Sequence, residues 1–422
     1  MDKIVIEGGK PLFGDVYVSG AKNTALPVLA ATLLTQGQST IRNIPRLKDI
    51  ATTERLLALL GAGVHHIGAD VIEIDSSRVS PCRIPYDLVK TMRASVLVLG
   101  PLVGRFGQAE VSLPGGCAIG ARPINLHLKG LKKLGVNIDL VRGYVKAECK
   151  RMHGGHIILD LPSVTCTENL MMAAAIIDGE TIIDNAAREP EIVDLAHVLI
   201  AMGASVEGAG TDRLLIKGNR DLRPFDHRII PDRIEAGTFM VAAAITGGRI
   251  AVRNCPFEFV SAVSEKLEET GAVVTNPAPD IIEVERKVTD KILPAEISTA
   301  PYPGFPTDMQ AQFMALLCLA RGVSLIRETV FENRFMHVQE LMRMGADIDI
   351  DGHTAIVKGV NHMDGAPVMA TDLRASACLI LAGLAARGET TVSRIYHLDR
   401  GYERIEEKFG KLGAVIRRER ES

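Results

Sequence analysis

The stretch LIAMGASV at residues 199–206 ends a helix and opens a strand, and the chain uses that device six times. Leu199 and Met202 stand three apart on one helix face, Gly203 supplies the stop, and Ala204 to Val206 begin an extended run. The same reading fits LLALLGAGV (56–64), LKKLGVNI (131–138), LEETGAVV (267–274), LMRMGADI (341–348) and FGKLGAVI (409–416). Their glycines fall at 61, 135, 203, 271, 345 and 413, in steps of 74, 68, 68, 74 and 68 residues. A near-constant step of that length marks one supersecondary unit repeated along the chain.

Upstream of each glycine lies an apolar run, at residues 25–34, 95–103, 170–177, 239–245, 313–320 and 377–386. These runs are apolar on every face, which predicts buried helices rather than surface ones. Each repeat therefore reads as strand, buried helix, strand, amphipathic helix and a closing pair of strands, a βαβαββ unit. Six of them predict an α/β fold in two lobes, with sheets outside and buried helices inside. The expected lobes are residues 22–230, and residues 1–21 with 231–422. The N-terminal strand is expected to return to the second lobe, so that the chain crosses twice.

Composition narrows the function. A chain of 422 residues with 47% hydrophobic and 23% charged residues is large enough for two globular domains. The net charge of −3 gives no bulk attraction to nucleic acid or anionic membrane, and the absence of Trp argues against base-stacking platforms. Seven cysteines, scattered and without a C-x-x-C pair, suggest neither a disulfide framework nor a zinc site, but a reducing compartment. The start, MDKIVIEGG, enters a strand at once, and no apolar run approaches the roughly 20 residues of a membrane span. A cytoplasmic protein is expected.

Residues 113–123, LPGGCAIGARP, set three glycines and a thiol between two prolines. Glycine opens backbone angles closed to other residues and proline fixes where the flexible part stops, which is how a lid is built. Cys117 has Arg122 five residues on, and a nearby cation favours the thiolate.

The starts of the helices carry the strongest functional signal. Lys22, Arg93, Arg233 and Arg374 stand where the buried helices begin, and Lys48, Arg188, Arg334 and Arg400 where the second helices begin. The helix dipole disfavours cations there. Their recurrence makes sense if those ends meet a bound anion, where amide N–H groups and cations add. Asp232, Asp308 and Asp372 at the same starts are N-caps or functional carboxylates, and His127 and His337 are further candidates. There is no G-x-x-x-x-G-K-[ST] loop, G-x-G-x-x-G, H-E-x-x-H or G-x-S-x-G, so anion recognition has to use these scattered side chains.

At this point the chain resembles the enolpyruvyl transferase family, and within it the UDP-N-acetylglucosamine enolpyruvyl transferases. The resemblance rests on SGAKN (19–23), YDLVKTMRAS (86–95), LPGGCAIGARP (113–123), NAAREPEIVD (185–194) and PDRIE (231–235). It continues through FPTDMQAQF (305–313), ETVFENRFMHV (328–338), ATDLRASA (370–377) and YHLDRGYERIE (396–406), and so spans the chain. It implies a two-lobed inside-out α/β barrel and transfer of enolpyruvyl from phosphoenolpyruvate to the 3′-hydroxyl of UDP-N-acetylglucosamine, with release of phosphate. That is the first committed step of peptidoglycan synthesis, tied to cell wall biogenesis, cell shape and cell division. It further implies that Cys117 binds phosphoenolpyruvate covalently and is the thiol alkylated by fosfomycin. Lys22, Asn23, Arg93, Arg122 and Arg400 match residues at phosphoenolpyruvate, and Arg334 and Arg374 further conserved positions; Asp372 is counted with the candidate substrate-binding residues. Arg122, Pro123, Ile124, Asn125 and Leu126, with Leu161, Pro162, Ser163, Val164, Asp308 and Val330, match the sugar-nucleotide site, although Leu161, Pro162 and Thr165 depart from the usual pattern there.

The chemistry agrees with these residues. Addition to an enol ether needs an acid for the methylene carbon and a base for the incoming hydroxyl. Asp308 is the candidate base, Cys117 the candidate acid and covalent partner, Lys22 its helper, and Arg400 with the other cations holds the phosphate and carboxylate. No cofactor or metal is expected, because guanidinium and ammonium groups already supply positive charge. The sister enzyme acting on shikimate 3-phosphate lacks an equivalent lid cysteine, and a non-catalytic binding protein would have no need of Cys117, Asp308 and Lys22 together.

Overall fold

The computed structural model describes residues 2–90, 92–113 and 124–420. They form six four-stranded sheets, one for each repeat. In the third repeat the sheet runs His156–Ile158, Glu180–Asp184, Arg213–Lys217, Ser205–Glu207. The first two strands are parallel and the rest antiparallel, with Ile157 opposite Ile183 and Ile183 opposite Leu214. The parallel pair needs a crossover, and the buried helix Val164–Ala175 provides it.

Alternation along the strands sorts their faces. In Glu180–Asp184, Thr181 and Ile183 are buried while Glu180 is exposed, so one face of the sheet packs on the helices. The crossover helices are buried nearly throughout, from Cys166 to Ala175 in one and from Ile234 to Ile245 in another. The apolar runs mark these helices but start late: residues 313–320 correspond to helix Gln310–Leu317, because its first turn is polar in sequence yet buried. That polar first turn is where the candidate residues sit.

All six repeat glycines take a positive φ, from +88° at Gly135 to +111° at Gly203. An L side chain is strained there, which explains why the stop is glycine each time. Gly203 is the C-cap of helix Pro190–Met202, its N–H bonding back to the Leu199 and Ile200 carbonyls.

The chain divides into two compact units. One takes residues 2–19 and 231–420, the other the described residues from 20 to 230, and each has its own hydrophobic core. Each unit borrows strands from a distant part of the chain. Strand Asp226–Arg228 pairs in parallel with Gln38–Arg42 and completes the first sheet of its unit. Phe13–Tyr17 does the same beside Arg249–Arg253. Asp2–Glu7 inserts between Glu389–Ser393 and Val415–Arg420.

Two glycines separate backbone strain from steric exclusion. A Cβ on Gly345 meets nothing within 4 Å, whereas one on Gly61 lies 2.7 Å from the Arg78 carbonyl oxygen. Gly345→Ala is therefore expected to cost about 1 kcal/mol, from φ alone, and Gly61→Ala distinctly more. Urea melts of the two variants check this, and equal losses would contradict it.

Candidate active site

In the unit of residues 20–230, helix Lys22–Ala31 begins directly after the SGA turn with no acid in its first turn. Lys22 is the first helical residue and is 9% exposed. Its ammonium lies 3.3 Å from a carboxylate oxygen of Asp49. Asp49, 5% exposed, stands in the first turn of helix Lys48–Leu59, where the dipole favours an anion. A buried cation is thus aimed by a buried acid on the neighbouring helix. Asn23 follows it, half-buried.

Arg93 opens the 3-10 turn Arg93–Val98 and is half-buried. Burial, with the Arg93 charge adding to it, pushes the His127 imidazole down to about 3, so His127 is neutral at physiological pH. The Asn169 amide donates to His127 Nδ1 at 3.0 Å, and Asn169 Oδ1 accepts the Gly100 N–H at 2.8 Å. His127 is therefore a structural link between buried helices. Ile124 is buried, Asn125 exposed and Leu126 half-buried at the start of helix Asn125–Lys133. Leu161 is exposed, and Pro162, Ser163 and Val164 are half-buried where helix Val164–Ala175 begins. One turn further, burial and then the charges of Glu191 and Glu189 raise the Glu168 carboxyl well above its ordinary range.

In the other unit the three helix-start aspartates part company. Asp232 Oδ1 accepts the Ile234 and Glu235 N–H groups at 2.9 and 3.1 Å. Asp372 Oδ1 accepts those of Arg374 and Ala375 at 2.8 and 3.0 Å. Both are N-caps. Asp308, in the 3-10 turn Thr307–Met309, makes no such bond. Instead Arg334 Nη2 donates to its Oδ1 at 2.7 Å and Arg374 Nη2 to its Oδ2 at 2.8 Å. Both arginine side chains are 5% exposed and the carboxylate 27%. Burial alone would raise the Asp308 carboxyl, but Arg374 and Arg334 overcome it and hold the group well below the usual carboxylate range.

A second layer fixes this cluster. Arg374 Nη1 reaches the Tyr402 hydroxyl at 3.4 Å, and that hydroxyl lies 2.9 Å from Thr238 Oγ1. Gln312 Nε2 donates to the Asp308 carbonyl at 2.9 Å. Glu328, 2% exposed, ties two loops together: it accepts the hydroxyls of Thr299 and Thr307 at 2.9 and 2.8 Å and the N–H groups of Val330 and Phe331 at 2.8 and 3.1 Å. The turn carrying Asp308 and the loop leading to Arg334 are so held in register. Arg334 Nη1 is buried with no hydrogen-bond partner among the described residues. Burial pushes His337 down to about 4, with Asp372 opposing and Arg334 adding to the shift.

The expected residues fall into place unevenly. Asp308, Arg334 and Arg374 are in direct contact, and Val330 joins them through Glu328. Arg400 ends the 3-10 turn Leu398–Arg400, half-buried. Lys48 and Arg188 are exposed, and Arg233 opens helix Arg233–Thr246 with its guanidinium 5.7 Å from the Tyr302 ring. Cys117, Arg122 and Pro123 lie outside the described residues. Sequence reading missed Asp49, Glu328 and Tyr402 as residues that position others. Asp49 had one readable signal, an acid one residue after a cation at a helix start.

The clamp on Asp308 has a pH signature. Its folded value is depressed, so its ionised form adds stability that is fully present above the unfolded value of about 4 and lost as pH falls through the lower folded one. The stability difference between the protein and Asp308→Asn is expected to stay flat from pH 7 to 5 and to narrow only below about 4. Urea unfolding across that range measures it, and narrowing already between pH 7 and 5 would contradict the clamp.

A family model described as EPSP synthase (3-phosphoshikimate 1-carboxyvinyltransferase) matches residues 6–409. The UDP-N-acetylglucosamine 1-carboxyvinyltransferase of Geotalea uraniireducens is 60% identical over 421 residues, covering 100% of both chains. That of Nitratidesulfovibrio vulgaris, strain Miyazaki F, is 55% identical over 422 residues, covering 99% of each. Among solved structures, the enolpyruvyl transferase NikO from Streptomyces tendae aligns with a TM-score of 0.88 at 28% identity, over 99% of this chain and 98% of that one. EPSP synthase from Acinetobacter baumannii aligns over 100% of both chains with a TM-score of 0.78 at 18% identity, and so shares the fold. The chain belongs to the EPSP synthase family of enolpyruvyl transferases and, within it, to the UDP-N-acetylglucosamine 1-carboxyvinyltransferases.

Proposed function

We infer that the chain transfers the enolpyruvyl group of phosphoenolpyruvate to the 3′-hydroxyl of UDP-N-acetylglucosamine and releases phosphate, the step that commits the sugar nucleotide to peptidoglycan synthesis. The observation that carries this reading is full-length identity of 55–60% to enzymes of that name, in a chain with cations at its helix starts. The reaction belongs in the cytoplasm, in keeping with six unpaired cysteines among the described residues.

The reaction forms a C–O bond between the sugar hydroxyl and the central carbon of phosphoenolpyruvate while the methylene carbon takes a proton. Collapse of this tetrahedral intermediate breaks the bond to phosphate and returns the methylene proton. Lys22, Asn23, Arg93, Arg122 and Arg400 are assigned to the phosphate and carboxylate of phosphoenolpyruvate, and Arg334, Asp372 and Arg374 to further contacts around the reacting groups. Pro123 to Leu126, Leu161 to Val164, Val330 and Asp308 are assigned to the sugar nucleotide. Cationic side chains in a partly desolvated site stabilise the charge that develops on the departing phosphate.

The clamp bears on the base. A carboxylate held by two guanidiniums is weakly basic. Asp308 accepts the hydroxyl proton once a substrate anion draws Arg374 or Arg334 away, and the unused Nη1 of Arg334 is a donor ready for such an anion. Cys117 delivers the methylene proton or adds to phosphoenolpyruvate, and is the thiol that fosfomycin alkylates.

Phosphate release with UDP-N-acetylglucosamine but not with shikimate 3-phosphate as acceptor is the expected result, and the reverse would overturn the acceptor. Cys117→Asp, which still carries a proton to donate, should keep turnover and lose fosfomycin inactivation. Inactivation retained in that variant would remove Cys117 from the assignment.

A further inference from the structure

The unit of residues 20–230 contains a concave cavity of about 590 Å³ lined by none of the residues assigned to substrates. It is lined where the three buried helices of this unit end. Leu34 closes the 3-10 turn that follows helix Lys22–Ala31, Phe106 ends helix Leu99–Phe106, and Ile176 follows helix Val164–Ala175. The residues assigned to substrates stand at the opposite ends of the same helices, at Lys22, Arg93 and Val164. The cavity is thus a separate place in the fold.

Its charge is lopsided. Arg105, Lys150, Arg151 and Arg220 line it against one carboxylate, Asp221, in a chain whose net charge is −3. Helix C-termini carry partial negative charge, and a cation near them is ordinary. Arg105 meets that need: its guanidinium donates to the Leu33 carbonyl at 2.9 Å and the Ser76 carbonyl at 3.1 Å. The remaining cations are surplus to it. Arg151 lies 3.7 Å from Asp178 with both side chains 72% exposed, a loose pair that a stronger anion can replace. Lys150 and Arg220 are exposed, and neither makes an ion pair or side-chain hydrogen bond among the described residues. Phe106, Met152 and Ile176, each half-buried, add apolar surface to the lining.

A concave surface with cations of one sign concentrates anions, guanidinium groups match phosphate oxygens, and apolar lining rewards an organic portion. We propose that this cavity binds an organic polyphosphate of nucleotide size, its phosphates on Lys150, Arg151 and Arg220 and its organic part against the helix ends.

The test is calorimetric titration of the full chain with adenosine triphosphate, with a cavity variant to separate this place from the substrate site. Saturable binding is expected, weakened about tenfold or more in the double variant Lys150→Glu, Arg220→Glu. The variant's phosphate release without the nucleotide should match the unaltered protein, which also shows that it folds. Pyrophosphate should bind more weakly than the nucleotide. No saturable binding, equal affinity in the variant, or pyrophosphate binding as tightly as the nucleotide would each overturn the proposal. Because the readout is binding rather than turnover, failure here is distinguishable from failure of the functional assignment.

Discussion

One carboxylate between two buried guanidiniums sets the terms for the site in the unit of the last three repeats. Asp308 satisfies one hydrogen of Arg334 and one of Arg374, and without it two buried cations would face each other unpaired. The arrangement keeps Asp308 ionised and aims it, at the cost of basicity. It therefore stores a carboxylate whose strength depends on what its arginines are doing. The surrounding bonds serve to hold that geometry: Glu328 joins the loops, Gln312 holds the Asp308 carbonyl, and Tyr402 meets the far side of Arg374.

The same economy runs through the fold. A repeat that buries its first helix on all sides brings the polar start of that helix to the edge of a core, where a charged side chain can be fixed without being wholly desolvated. Lys22 is fixed by Asp49 in this way, and Arg374 by Asp308. Strands from a distant part of the chain complete the first sheet of each unit.

Much of this was legible in the sequence. The six glycines announced the repeats because a positive φ leaves a mark at one position that no distant contact can replace. The buried helices were legible because apolarity on every face is a local property. The roles of Asp232, Asp308 and Asp372 were not, since the three occupy matched positions. What separates Asp308 is partners 26 and 66 residues away, which no periodicity reports. Glu328 was hidden for the same reason, its four donors being drawn from three separate segments. The division between units falls after Ser19 and after Ile230.

The most direct measurement follows the Asp308 carboxyl carbon by NMR as a function of pH, with and without bound phosphoenolpyruvate and UDP-N-acetylglucosamine. In the free protein the resonance should stay that of an ionised carboxylate below the pH where aspartates normally titrate. With substrates bound its titration should move upward, as a substrate anion takes one of the two arginines. A titration that stays low while both substrates are bound would contradict the account, because the carboxylate would then be no base.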